Sequence, residues 1–336
     1  MAPPPERQDS LFRFAAPVFP AFIGRKDGGG PVQVILTSND GQGWAINIVE
    51  ASVRPDTPVP IKMNSDATIS EWSDLAGDKV LACRDYGKRE WLGVWDIRNG
   101  DTILDELETD NAFICPDGDH LLLFADDGIA VVDLRQPTKP ARKSGVFPIG
   151  QQDAEDDPER RDWLLDNPGS VMAVQAEPGT GTFTLAIGDY GFAVVADVRL
   201  GDEDEPPLIV TKRTRRYHEG LVYDPVEILD VVPGESLVVL HGHGCGVTRF
   251  DLQTGVEASC PLPLQNPEPR YGAFRRIVTC SATPGLWVLS DVGPYFWNGT
   301  GPVERVPDEA CAVIATDGAR FLGLSPDGWD LVQGQF

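Results

Sequence analysis

Long hydrophobic runs are missing from this sequence. No apolar stretch approaches the roughly 18 residues that a membrane-spanning helix needs. The N-terminus, MAPPPERQDSLFRFAAPVFPAFIG, lacks a basic start leading into a clean apolar segment, and Pro17 and Pro20 interrupt the apolar character it has. Neither a signal peptide nor a membrane association is expected. Basic residues are scarce: 28 Lys and Arg stand against 52 Asp and Glu, for a formal net charge of −24. Nucleic acid and anionic membranes are repelled at long range by such a chain, so neither is an expected partner. The six cysteines (Cys83, Cys115, Cys245, Cys260, Cys280, Cys311) form no CxxC pair and fall mostly in apolar runs. A reduced, cytoplasmic protein follows. There is no GxSxG elbow, no P-loop and no HExxH, and the spacing of the four histidines points to no triad. No catalytic residue and no cofactor is assigned.

Helical periodicity is almost absent as well. What is there instead are runs of four to seven residues rich in Val, Ile, Leu, Phe and Trp, separated by Gly, Pro, Asp and Asn. The clearest unit is Ala76–Thr102, AGDKVLACRDYGKREWLGVWDIRNGDT. Its apolar strands Lys79–Cys83 and Leu92–Ile97 are followed by Arg98-Asn99-Gly100, and Asn-Gly after an alternating run is a strong turn signal.

Copies of this unit emerge by aligning on an acidic or amide residue near a strand end. These markers are Asn47, Asp96, Asp133, Asp197, Asp251, Asn298 and Asp330. Their spacings scatter around the roughly 40–45 residues of a propeller blade. An Asp or Asn there bonds the backbone two residues on and shapes the outgoing turn. Each marker strand is preceded by two further apolar runs, so the chain spells strand, Gly turn, strand, turn, strand seven times. Fourth strands are weaker, and the seventh unit has no room for one; Leu11–Ala15 is expected to supply it, completing the last blade and closing the ring.

The pattern resembles the WD-repeat β-propellers, best in GVWDIRNGD (Gly93–Asp101) and GWDL (Gly328–Leu331), and the resemblance covers nearly the whole chain. It departs from that family in lacking the Gly-His pair before the first strand, and only Trp95-Asp96 and Trp329-Asp330 keep the Trp-Asp dipeptide. The family's buried Asp–His network is therefore not implied. The expected fold is all-β: one seven-bladed propeller with blades at 16–62, 66–108, 111–147, 170–211, 226–263, 274–306 and 310–336 plus 11–15. Two separate all-β domains are the rival.

In such a ring, loops joining strands two and three share a face with the loops between blades. The long segments Arg84–Trp91, Pro148–Ser170, Lys212–Pro225, Gln265–Ala273 and His241–Gly246 then lie together, and function concentrates on such loops. Lys212–His218, KRTRRYH, is the one dense basic cluster; its arginines suit carboxylates or phosphate, with Tyr217 adding an aromatic contact, or they neutralise the acidic run Asp202–Glu205 of the same blade. Gln151–Asp166 is charged and predicted to form a short helix after Pro158, with Trp163, Leu164 and Leu165 as its apolar side.

Two function classes emerge. The first is a non-enzymatic scaffold or adaptor subunit of a larger assembly, binding a protein through Tyr86, Arg89, Trp91, Trp163, Arg213, Arg215, Arg216, Tyr217 and Tyr223. The second is a metal-assisted hydrolase or lyase at the channel mouth, with Glu71, Glu227, Asp110, Asp230 and Glu309 as oxygen ligands. His241, His243 and Cys245 are a weaker metal set, since ordinary turn and strand residues account for them better. The absence of recognisable catalytic constellations favours the scaffold.

Overall fold

A computed structural model describes residues 9–24, 32–49, 52–63, 68–85, 90–107, 112–125, 128–143, 170–175, 180–189, 192–201, 205, 207–216, 227–232, 236–241, 246–251, 256–261, 275–279, 286–290, 295–297, 304–305, 313–317, 319–325 and 327–335. Every regular element among them is a β-strand apart from one short turn.

The chain opens with β1 (Asp9–Arg13). A sheet follows of β2 (Val18–Gly24), β3 (Val32–Ser38), β4 (Gly43–Val49) and β5 (Arg54–Pro55), with β6 (Val59–Pro60) also on β4. The second sheet is β7 (Thr68–Ala76), β8 (Lys79–Asp85), β9 (Glu90–Asp96) and β10 (Thr102–Leu107). The third is β11 (Ala112–Ile114), β12 (His120–Ala125), β13 (Gly128–Asp133) and β14 (Arg142–Lys143). The fourth is β15 (Ser170–Gln175), β16 (Thr182–Asp189), β17 (Phe192–Arg199) and β18 (Leu208–Arg216). The fifth is β19 (Glu227–Val232), β20 (Ser236–His241), β21 (Gly246–Asp251) and β22 (Glu257–Pro261). The sixth is β23 (Arg275–Thr279), β24 (Leu286–Ser290), β25 (Tyr295–Trp297) and β26 (Glu304–Arg305). The seventh is β27 (Val313–Thr316), β28 (Arg320–Leu324) and β29 (Asp330–Gln335), with β1 added outside β29. The first, sixth and seventh sheets belong to one compact unit (residues 1–24, 30–61 and 263–336), and the other four to a second (25–29 and 62–262).

The apolar runs of the third sheet are continuous because it is buried on both faces. Successive strand residues point to opposite faces. In the third sheet, Ile114, Leu121, Val132 and Leu134 pack on Ala76, Leu81, Leu92 and Val94 of the second. Their neighbours Phe113, Cys115, Leu122, Phe124, Ile129 and Val131 pack on Phe183, Leu185, Ala196 and Val198 of the fourth. Within the other unit, Val32, Val34, Leu36, Trp44, Ile46 and Ile48 meet Ile314, Leu322, Leu324 and Leu331 of the seventh sheet. Sheet stacks on sheet, as blades do.

Register repeats too. The marker faces a hydrogen-bonding residue across the ladder in five sheets: Gln33 opposite Asn47, Lys79 opposite Asp96, His120 opposite Asp133, Thr184 opposite Asp197 and Ser236 opposite Asp251. The seventh sheet departs from the expected alignment. There Arg320 faces Gln335, and Asp330 opens β29 rather than closing it. Trp329-Asp330 follows the β28–β29 turn, so the dipeptide stands at a strand end only at Trp95-Asp96. A two-residue match carries no register information, and the alignment failed where strand length had to decide.

The first strand of four sheets skips a residue at one shared position. Ala21, Ser73, Leu229 and Ile314 are passed over, each just before the residue that pairs two places beyond Gln33, Lys79, Ser236 or Arg320. A bulge there increases the twist of the first strand.

Two expected loops are shorter than anticipated. Arg84–Trp91 is strand at both ends, with β8 running to Asp85 and β9 starting at Glu90. Lys212–Arg216 belongs to β18, whose ladder extends well past the expected end at Thr211.

Candidate interaction surface

In the second sheet the register sets Trp91 opposite Arg84, so Trp91 is a half-buried strand residue and not a loop anchor. Arg84 is buried; its Nη1 donates to Asp105 on β10 at 2.7 Å, and its guanidinium lies 5.6 Å from the centre of the Trp95 ring. The ion pair and the cation–π contact together justify burying a charge there. Trp95 is fully buried and lies over Gly93, where any Cβ would sit 2.3 Å from the indole. Glycine is what makes room for it.

Asp74 is a buried acid that sequence reading did not single out. It is 1% exposed on β7, accepts from its own neighbour's Leu75 N–H at 2.8 Å, and accepts from Ile114 N–H of the next sheet at 2.8 Å. Two N–H donors replace the water a buried carboxylate loses. Its register position is shared by Asp230 on β19, and Glu71 shares a position with Glu227. The spacing Glu-x-x-Asp, present in both strands, was the available signal.

The turns are stitched by carboxylates in two recurrent ways. Asp96 accepts from Arg98 N–H at 2.9 Å and from its guanidinium at 3.2 Å, and Asp133 does the same with Arg135 at 2.9 and 3.0 Å. These two markers shape the outgoing turn as expected. The Arg135 guanidinium holds the Asp133 carboxyl below the usual carboxylate range. Burial pushes Asp96 up, but its bonds from Arg98 outweigh this and leave it lowered. In the turns joining first and second strands, Asp117 accepts from Asp119 and His120 N–H and lies 2.7 Å from His120 Nδ1. Asp317 accepts from Ala319 and Arg320 N–H and from the Arg320 guanidinium at 2.6 Å. These charges are committed to structure.

The chain ends meet within one sheet. Ser10 Oγ and Arg13 Nη1 donate to the Asp330 carboxylate at 2.9 and 3.1 Å, and Arg13 lies over Trp329. Phe14 N–H then bonds Trp329 O and Val18 N–H bonds Gly328 O, so this inter-sheet connection sits at the β28–β29 turn.

Antiparallel sheets stack on one another, and a strand from one end of the chain completes the sheet of the other. The fold is that of a β-propeller. The β-propeller domain of Cps50 (Swd1) from Myceliophteria thermophila is similar over 98% of this chain and 100% of that one, at 11% identity and a TM-score of 0.52. Hsv2 from Kluyveromyces lactis is similar over 92% and 91%, at 13% identity and a TM-score of 0.47. No family model matches the sequence, and no curated protein does. At such identity the first likeness speaks to the propeller fold alone.

Of the anticipated contact residues, Arg213, Arg215 and Arg216 lie on β18, opposite Val195, Ala193 and Phe192. That register sets them away from the β17–β18 connection: Leu208 pairs with Arg199, and Arg213 is five residues further on, about 16 Å along the strand. Asp202, Glu203 and Asp204 lie outside the described residues. At the same connection Arg142 Nη1 of β14 donates to the backbone carbonyls of Leu200 at 2.9 Å and Glu205 at 3.1 Å. Tyr86, Arg89, Trp163, Tyr217, Tyr223, His243, Cys245, Asp110 and Glu309 lie outside the described residues, and His241 is the last residue of β20. Among the described residues, no group of three or more His, Cys, Asp or Glu side chains is placed to hold a metal.

Proposed function

We propose that this propeller is a non-enzymatic interaction platform, an adaptor or scaffold subunit of a larger cytoplasmic assembly. In this reading the seven sheets are the blades of one ring, and β1 closes it by completing the seventh. The partner is a protein, held at the end of the sheets where second and third strands turn. Trp91 stands beside the β8–β9 turn, and Arg213, Arg215 and Arg216 beside the β16–β17 turn, which are equivalent ends of their sheets. Tyr86, Arg89, Trp163, Tyr217 and Tyr223 are the sequence neighbours assigned to the same surface.

The observation that carries the reading is the register of β18. It continues the one dense basic stretch of a −24 chain along the outer strand, away from the β17–β18 connection. Basic residues so placed suit carboxylates supplied by something else. The test replaces Arg213, Arg215 and Arg216 by Glu and measures binding of partners recovered with the wild-type chain. Binding falls if the reading holds. A partner that binds the variant unchanged removes this surface.

A further inference from the structure

We infer that β18 is a docking edge: an extended, acidic segment of a partner protein adds to it as a further antiparallel strand. The inference rests on the interaction reading above and specifies how the partner is held.

The outermost strand of a sheet presents a row of backbone N–H and C=O groups, and proteins usually keep such strands short or irregular. The outer strands here mostly obey. β5, β6, β14 and β26 have two residues each, β22 and β1 five, and β10 six with two register shifts. β18 is the exception, with nine residues paired to β17 from Leu208 to Arg216 and a single skipped residue at Lys212. Among the described residues β17 is the strand it pairs with, and β18 stands last in its sheet.

The chemistry along this edge is asymmetric. Leu208–Thr211 is apolar and β-branched, and Leu208 is 54% exposed. Lys212, Arg213, Arg215 and Arg216 follow within five residues. A strand added antiparallel, as all pairings in this fold are, would set its N-terminal half against the basic residues and its C-terminal half against the apolar ones. The fitting segment is therefore acidic first and β-branched second. Main-chain bonds supply affinity and the charges supply direction. A bilayer has no strand to offer, and an anionic one repels a chain of −24.

The test uses a fluorescent peptide of about ten residues, with Glu at alternate positions of its N-terminal half and Val and Thr in its C-terminal half. Companions are the reversed sequence and two versions N-methylated on alternate backbone nitrogens, one for each edge. Saturable binding of the parent is expected, with slowed amide exchange at 208–216. The reversed peptide and the Arg213→Gln, Arg215→Gln, Arg216→Gln variant should each weaken it about tenfold, and one N-methylated version should lose it while the other retains it. An unchanged melting temperature shows that the variant is folded. No saturable binding, equal binding of both N-methylated peptides, or equal competition by RNA or anionic vesicles would overturn strand addition. Should the Glu variant lose its partner while both N-methylated peptides bind like the parent, the interaction surface stands and the strand mode fails. Peptide addition with undiminished partner binding to the Glu variant gives the converse.

Discussion

The carboxylate of Asp74 accepts the backbone N–H of Ile114 at 2.8 Å, tying the first strand of one sheet to the first strand of the next. Both partners are buried. Apolar stacking between sheets is non-directional, whereas this bond fixes where along its length one sheet meets another.

Asp74→Ala should lower the unfolding free energy by about 1–3 kcal/mol, because Ile114 and Leu75 N–H groups lose their acceptor in a dry site. Asp74→Asn keeps one acceptor oxygen and should fall between the two. Denaturant unfolding checks the order.

Adjacent residues of β12 face different neighbouring sheets, Leu121 towards the second and Leu122 towards the fourth. Leu121→Ala and Leu122→Ala should each cost about 2–5 kcal/mol. In a sheet with one wet face, one of the two would be nearly silent. Equilibrium unfolding of both variants distinguishes the cases.

Gly93→Ala drives a methyl into the Trp95 indole. A loss of about 1–3 kcal/mol is expected, and Trp95→Leu should relieve part of it. A double-mutant cycle in thermal denaturation measures the coupling.

Asp133 is held low by Arg135, and Asp96 by Arg98 against the opposing effect of burial. A carboxylate whose folded pKa is depressed contributes stability that is present above its unfolded value of about 3.9 and lost as pH falls through the folded one. The difference between wild type and Arg135→Gln should therefore be present at neutral pH and vanish once Asp133 is protonated in the folded and unfolded chain alike. Unfolding curves across the acid range show whether the gap closes in that direction.

Deleting residues 1–13 removes β1 and leaves β29 without its outer partner. The shortened chain should be less stable and should self-associate through that edge, visible by light scattering. Arg13→Ala alone should cost less than about 1 kcal/mol, since the Arg13–Asp330 pair is largely exposed on the Arg side.

The hairpins were legible because their signals are local. Asn99-Gly100 and Asp117-Gly118 spell turns, and Gly100 and Gly118 take the positive φ those turns require. The Asp96 and Asp133 turns follow from bonds spanning two residues. β1 was legible by elimination, since one run had no partner nearby and one sheet lacked a strand. Asp330 was misread because a dipeptide says nothing of which end of a strand it occupies. Lys212–Arg216 was misread because charge and polarity look alike in a loop and on an outer strand, where solvent tolerates either.

Residue order alone determined the strands, their antiparallel succession and the two-faced burial, since these follow from short-range turn chemistry and from apolar runs too continuous for a half-wet sheet. Tertiary structure decided that Asp74 bonds a strand forty residues away, that Arg84 lies over Trp95, and that Arg213, Arg215 and Arg216 continue the β17–β18 ladder. Those relationships depend on register and on which faces meet. Both are set by packing between segments that sequence neighbours do not encode.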